Sequence, residues 1–213
     1  MTSARGRGDA GQAFPIYITV VASLLFLAFA YLAVGQAAVN RGDAQAAADA
    51  AALAAAQETR DQLAKNWALN VLDPTKWDGI FHGVGSVDTC WRAYQLAAAN
   101  DAEATCKPGI MQYTVKATTN KSVGDSIVPG TEDIKSIAHA TAVIKSLCTF
   151  DLLPDPIPAP DPTPTPTPTP TGPEEPPPVQ LPQLDCDGVE WPLDPKNLHL
   201  PKPQDLFDVH LAA

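Results

Sequence analysis

Cysteine and histidine are the residue types in this sequence with the widest chemical range, because thiolates and imidazoles bind metals and act as nucleophiles or bases. The four cysteines are Cys90, Cys106, Cys148 and Cys186. None belongs to a Cys-x-x-Cys motif, and no histidine lies at zinc-ligand spacing from them. The cysteines therefore indicate disulfides, and we expect no metal and no cofactor.

Carboxylates and histidines come together at two places where acid–base chemistry can be considered. Asp205, Asp208 and His210 lie close in sequence, but their spacing fits no catalytic template. A Glu-Asp pair at 132–133 is typical of a turn or a strand start, and His139 is interpreted as a structural or surface residue of a predicted strand. The sequence has no GxSxG, P-loop, GxGxxG or HExxH motif. We therefore predict that the protein is not an enzyme.

The distribution of proline and charge limits the part of the chain that can form a core. The chain has 213 residues, and 14 of its 22 prolines lie between Pro154 and Pro182. The formal net charge is −10, of which −9 arises from Asp151 onward. This acidity is typical of a solvated segment, and no basic patch indicates nucleic-acid binding. Most of a soluble core has to come from residues 73–150, which excludes a large enzyme.

An apolar run from Phe14 to Val34 predicts a membrane-spanning helix. The run has 21 residues, and no charged residue occurs between Asp9 and Arg41. As a helix it extends about 32 Å, which matches the hydrocarbon thickness of a bilayer. We assign the transmembrane helix to residues 13–36.

The orientation of this helix follows from Arg5 and Arg7, which precede it. The positive-inside rule predicts a cytoplasmic N-terminus at residues 1–12 and an extracytoplasmic C-terminal region. The alternative is a cleaved signal peptide, for which the small-x-small sequence at 44–46 would be the cleavage site. The apolar run is longer than the 7–15 residues usual for that class, which favours a retained anchor.

Residues 37–70 are predicted to continue the helix as an alanine-rich stalk. Ten of the 13 residues from 44 to 56 are alanine, the strongest helix former. Small side chains allow close approach of helices, which favours packing on a partner helix. The residues assigned to this contact are Ala48, Ala52, Leu53 and Ala56. A stalk with one face on its own domain is the alternative.

Residues 71–150 predict a small extracytoplasmic α+β domain. A helical piece covers 90–99, and residues 111–118 alternate between apolar and polar side chains, as in a half-buried strand. The segment 133–148 is interpreted as a second strand, with a helix as the alternative because alanine is common there. An antiparallel pair packed on a helix is the simplest α+β arrangement.

The cysteines and the proline-rich segment together define the C-terminal part of the chain. An exported compartment favours disulfides, and four cysteines allow three pairings. Pairing of nearest neighbours gives Cys90–Cys106 and Cys148–Cys186. The Pro/Thr-rich linker at 151–183 favours polyproline II. If the second disulfide forms, this linker has to arch back and tether the acidic C-terminal tail at 184–213 to the domain.

Two motifs flank the apolar run. A short basic RGxxGQ-like segment precedes it at 7–12, and an NAADAAALAAA-like segment covers 45–56. This arrangement resembles the TadE/TadG-like proteins of the tight-adherence (Flp) type IV pilus assembly system, over about a quarter of the chain. Processed pseudopilins of that system carry a glutamate five residues after a glycine, whereas Ile16 stands there relative to Gly11. The chain is therefore more similar to the unprocessed TadG-type members, of which actinobacterial ones often carry a small cysteine-containing domain.

The resemblance implies a function in assembly. It predicts a non-catalytic single-pass membrane protein of pilus or secretion machinery that acts as an anchor or assembly factor. The implied partners are the lipid bilayer and other pilus-assembly membrane proteins, in a homo- or hetero-oligomer. The alternative is a secreted or membrane-anchored envelope binding protein that acts through its C-terminal region.

Overall fold

The structure, a computed structural model, describes residues 13–122, 133–151 and 181–212. Three predictions fall partly or wholly outside the described residues. They concern the cytoplasmic segment at 1–12, the first position of the Glu-Asp pair at 132–133, and most of the Pro/Thr-rich linker at 151–183.

One continuous helix, α1 (Ala13–Leu69), joins the predicted transmembrane helix to the alanine-rich segment. It has 57 residues and is therefore about 86 Å long. After Pro15 no proline interrupts it, and alanine dominates its second half. The helix ends at Leu69, and the backbone N–H and side-chain amide of the next residue, Asn70, both donate hydrogen bonds to the carbonyl of Asn66. The two predicted elements are thus one element.

A four-stranded antiparallel sheet packs on the second half of α1. Its strands are β1 (Ala102–Gly109), β2 (Gln112–Ser122), β3 (Lys135–Ser146) and β7 (Phe207–Leu211), in the spatial order β1-β2-β3-β7. The side chains that β2 and β3 bury alternate with exposed ones: Tyr113, Val115 and Ala117 in β2, and Ala138, Ala140, Ala142 and Ile144 in β3. One face of the sheet covers α1, and the α+β class is confirmed.

The remaining elements lie around this two-layer core. Two helices, α2 (Trp77–Phe81) and α3 (Cys90–Ala99), connect α1 to β1. A small second sheet consists of β4 (Cys148–Phe150), β5 (Leu184–Cys186) and β6 (Val189–Trp191), and the short helix α4 (Pro203–Leu206) precedes β7. The sequence predicted α3 at its observed position but did not indicate α2, β1 or the second sheet.

The C-terminal region, predicted as a tail, belongs to the folded domain. β7 pairs with β3 in the main sheet, and β5 pairs with β4 so that Leu184 lies opposite Phe150. Leu184 and Phe207 are fully buried. The described residues on both sides of 152–180 therefore belong to one folded domain.

An aromatic cluster closes the end of the domain where α1 terminates. The ring centroids are 5.5 Å apart for Trp67 and Trp77, 5.3 Å for Trp77 and Phe150, and 5.5 Å for Phe81 and Phe207. These rings come from α1, α2, β4 and β7. Burial of aromatic surface is a large stabilising term, and here it joins the long helix to the C-terminal strand.

Both predicted disulfides are present. Cys90–Cys106 joins the start of α3 to β1, and Cys148–Cys186 joins β4 to β5. The first holds the helix on the edge strand, and the second fixes the two ends of the Pro/Thr-rich segment beside each other. A domain of this size gains considerably from such links.

Removing the second disulfide is expected to destabilise the domain more than removing the first. The linked cysteines are separated by 38 residues in Cys148–Cys186 and by 16 in Cys90–Cys106. Each link restricts the unfolded chain, so each double Cys→Ser variant should lose about 2–4 kcal/mol of unfolding free energy, with a difference of about 0.8 kcal/mol between them. Urea unfolding in detergent, followed by near-UV circular dichroism, measures both values. The reverse order would contradict the chain-entropy explanation.

Candidate functional site

The first half of α1 exposes its large apolar side chains. Phe26, Phe29 and Tyr31 are 72%, 53% and 83% exposed, and the other large apolar residues from 14 to 34 are exposed as well. A soluble domain rarely presents a continuous apolar surface of this kind. This surface therefore needs a cover of lipid or of other apolar helices.

The composition of this half suits a lipid cover. The most apolar 18-residue window of α1 has a mean hydropathy of 2.3, and no residue of that window is buried. The 21 residues from 14 to 34 are close to the roughly 20 that span a bilayer. The N-terminal apolar helix therefore suggests membrane anchoring.

The helix passes from exposed to buried within two turns. Val34 is 70% exposed, Asn40 is 8% exposed, and Ala44 has no exposed surface. Asn40 lies about 9 Å beyond Val34 along the helix axis. The folded domain thus begins directly beside the end of the apolar run, and the helix connects the two without a break.

A groove lies at this transition, between α1 and the C-terminal end of β2. Its volume is about 500 Å³, and we call it the junction groove. Its apolar lining consists of Tyr31, Leu32, Gly35 and Val39, and its polar lining of Gln36, Asn40, Asp43, Lys121 and Ser122. The ammonium group of Lys121 donates a hydrogen bond of 3.1 Å to Asp101. The sequence alone could not reveal this groove, because helix and strand come together only through the tertiary fold.

The alanine face of α1 packs inside the chain. Ala48, Ala52 and Ala56 have no exposed surface, and Leu53 is half-buried. They share one core with buried alanines of α3 and β3, namely Ala93, Ala97, Ala138, Ala140 and Ala142. The structure thus shows the alternative arrangement, with one helix face on its own domain. The three buried alanines are covered within the chain and present no surface to a partner helix.

A buried chain of hydroxyl groups holds α1 against its neighbours, and no motif in the sequence indicated it. The Thr59 hydroxyl forms hydrogen bonds of 2.9 Å with the Thr89 hydroxyl and 2.8 Å with the Tyr113 hydroxyl. Thr89 also donates a hydrogen bond of 2.7 Å to the carbonyl of Ala55. Each hydroxyl group of this network therefore has a partner, as stable burial of a polar group requires. The network orients α1 on β2 and on the start of α3.

The residues considered for acid–base chemistry have separate structural surroundings. The carboxylate of Asp205 accepts the backbone N–H of Lys202 at 2.8 Å, which caps α4. Asp208 and His210 form a half-exposed pair on β7 at 2.7 Å, and His139 is exposed on the open face of the sheet. Within residues 13–122, 133–151 and 181–212, no group of three His, Cys, Asp or Glu side chains could hold a metal ion.

One carboxyl group at a surface turn has a shifted pKa. The hydrogen bond from the Thr75 hydroxyl, 2.6 Å long, is the main reason why the pKa of Asp73 lies below its usual value, and Lys76 contributes further. The turn lies between α1 and α2, at the end of the domain away from the apolar run. This side chain organises the turn.

Comparison with known proteins bears on the N-terminal part of the chain. Residues 11–58 match the family model of the TadE/G-like Flp pilus-assembly domain. The match covers the exposed apolar half of α1, the junction and the buried alanine face, which is less than a quarter of the chain. It confirms the resemblance found for residues 7–57. No curated protein and no solved structure matches the chain.

Proposed function

We propose that the protein is a non-catalytic single-pass membrane protein of Flp/Tad-type pilus assembly or associated secretion machinery, in which it acts as an anchor or assembly factor. One observation carries the proposal. A single uninterrupted helix has an exposed apolar half and a second half that forms the core of a folded domain. The match of residues 11–58 to a pilus-assembly family supports it.

The continuity of α1 defines what such an anchor does. An unbroken helix transmits position and orientation, so the domain is held a fixed, short distance from the membrane surface. With Arg5 and Arg7 on the cytoplasmic side, the domain lies outside. The two disulfides agree with that side, since they persist in oxidising compartments.

The burial pattern favours a retained helix over a cleaved signal peptide. A cut after Ala46 would fall within α1, between Ala44 and Ala47, neither of which has any exposed surface. Cleavage would remove the first buried turn of the core helix. We therefore infer that the mature protein keeps its N-terminal segment.

Contacts with other pilus-assembly membrane proteins belong to the exposed half of α1 in this proposal. The alanine face is occupied by the chain's own sheet and by α3. The large apolar residues from 14 to 34 are exposed in the part of the chain that the structure describes, and they lie at membrane depth, where helices associate by close packing.

The alternative is an envelope binding protein that acts through its C-terminal region. The burial of Leu184 and Phe207 gives that region a structural role within the domain. Deletion of residues 184–213 therefore cannot distinguish the two functions, because it would remove β5, β6 and β7 from their sheets. Tests of function have to leave these strands in place.

Two arginines in the middle of the apolar run are expected to release the protein from membranes. Leu24 and Leu27 are each 62% exposed, so Leu24→Arg with Leu27→Arg leaves the packing of the domain intact. Each change is unfavourable by about 3–4 kcal/mol at the centre of a membrane helix. After alkaline carbonate extraction, the wild-type protein should remain in the membrane pellet and the variant should appear in the supernatant.

The matched control places the same two charges at the cytoplasmic end of the run, with Ala10→Arg and Ala13→Arg, which keeps the charge bias that orients the helix, and it should stay in the pellet. In cells that lack the native protein, the control should restore surface pili and the Leu24/Leu27 variant should not.

Protease added to intact, wall-stripped cells should remove a C-terminal tag. A wild-type protein that is extracted by carbonate, or a tag that is protected until the membrane is opened, contradicts the proposal.

A further inference from the structure

We propose that the junction groove binds one phospholipid whose headgroup carries both a phosphate and a primary ammonium group. The inference rests on the proposed function in one respect, namely that the apolar half of α1 spans a membrane. It adds to that function a ligand site, which the family match does not indicate.

The position of the groove places it among lipid headgroups. Its helical lining runs from Tyr31 to Asp43, so it begins within the apolar run and ends beyond it. Residues 35–40 lie about 2–9 Å past Val34 along the axis. That interval is comparable with the headgroup layer, which adds about 5–8 Å on each side of the hydrocarbon core.

The apolar part of the lining suits the acyl chain of a lipid. Leu32 and Val39 continue the apolar surface of the membrane helix into the groove, and both are more than half exposed. Gly35 lies between them, and a Cβ atom there would meet no atom within 4 Å. An acyl chain lying along the helix can enter this open space from the membrane side.

The polar lining contains donors for a phosphate. Asn40 is 8% exposed, and its side-chain amide nitrogen has no hydrogen-bond partner among the described residues. Such an orphaned buried donor is unusual in a native structure, and a phosphate oxygen in the groove supplies the missing acceptor. Lys121 adds a cation, since its pair with Asp101 is exposed on both sides and therefore weak.

The acidic lining discriminates among lipids. Asp43 lies on the same helix face as Gln36 and Asn40, and Asp101 lies beside Lys121. Two carboxylates against one ammonium group make the site unfavourable for a headgroup with net negative charge. A primary ammonium group donates hydrogen bonds to a carboxylate, whereas the trimethylammonium of phosphatidylcholine cannot. The phosphoethanolamine headgroup satisfies the phosphate donors and Asp43 together.

Native mass spectrometry of the full-length protein in detergent tests the site, with phosphatidylethanolamine, phosphatidylglycerol or phosphatidylcholine added one at a time. We expect one phosphatidylethanolamine per chain and about tenfold weaker retention of the other two, because each lacks a charge-assisted hydrogen bond. Gly35→Leu, which fills the groove, and Asp43→Asn, which removes the negative charge of the ammonium acceptor, should each lower the retention of phosphatidylethanolamine about tenfold.

Gly42→Leu is the matched control, because Gly42 is also a helical glycine with no atom within 4 Å of an added Cβ, and it lies outside the groove. It should retain the lipid as the wild type does. Equal retention of all three lipids, a preference for phosphatidylglycerol, or no effect of Gly35→Leu would overturn the inference. A lipid-free dimer that Gly35→Leu abolishes would show a helix–helix contact instead.

The failure of this inference is distinguishable from the failure of the proposed function. A wild-type protein that stays in the carbonate-resistant pellet and supports pili, but retains no phosphatidylethanolamine in the groove, contradicts the lipid site alone. A wild-type protein that carbonate releases contradicts both.

Discussion

We expect Phe207→Ala to lower the unfolding free energy of the domain by about 3–5 kcal/mol, the loss typical of a fully buried phenylalanine. Phe207 has no exposed surface, and its ring lies 5.5 Å from that of Phe81. Its removal leaves a cavity between the C-terminal strand β7 and helix α2. Urea unfolding in detergent, monitored by near-UV circular dichroism, measures the change.

His210→Ala is the control on the same strand. His210 is exposed and pairs only with the half-exposed Asp208, so its loss should change the unfolding free energy by less than about 0.5 kcal/mol. If Phe207→Ala is as stable as the wild type, the C-terminal region is not part of the core. In that case, the envelope-binding alternative, in which a free tail meets a partner, becomes the better explanation.

The sequence predicted well those elements in which exposure or burial produces a regular pattern of apolar residues. The run from 14 to 34 is apolar on every face of the helix, because every face is exposed to the same environment. β2 and β3 each bury one face, so their side chains alternate with a period of two. The alternation also decides between strand and helix for 133–148, where alanine composition alone favours either.

Some missed elements carried a signal. Asp187 and Gly188 form the turn between β5 and β6 with φ values of 54° and 81°, as in the two-residue hairpins for which Asp-Gly is a strong marker. Phe207, Val209 and Leu211 alternate with polar residues and so have the pattern of a half-buried strand. β1 had no such signal, since it contains Pro108 and exposes most of its side chains.

The orientation of the alanine-rich helix could not be predicted for a physical reason. Orientation is inferred from the contrast between apolar and polar positions, and ten of the 13 residues from 44 to 56 are the same small residue. The buried positions, Ala44, Ala47, Ala48, Ala51, Ala52, Ala55 and Ala56, do follow the helical repeat. Because exposed positions such as Ala46 carry the same residue type, the repeat cannot be recognised in the sequence. Only the opposing alanines of β3 and α3 decide which face is inside.

The combination of Ala48→Leu with Ala52→Leu is expected to destabilise the domain by about 2–6 kcal/mol, at about 1–3 kcal/mol for each overpacked site. Both alanines have no exposed surface and lie in a core with the buried alanines of β3 and α3. Because small residues face each other there, the helix and its neighbours leave no room for three further carbon atoms. Helix propensity changes little between alanine and leucine, so the effect should come from packing. Urea unfolding in detergent measures it.

Ala46→Leu is the control for the same substitution, because Ala46 lies on the same helical turn and is exposed. It should leave the unfolding free energy within about 0.5 kcal/mol of the wild type. If the double variant is destabilised and Ala46→Leu is not, the alanine face is internal. Any loss of pilus partners in the double variant then follows from unfolding. A double variant that stays fully stable yet no longer co-purifies with pilus-assembly proteins would show the opposite. The alanine face would then be a contact with a partner helix, and the closed packing of α1 on its own sheet would be wrong.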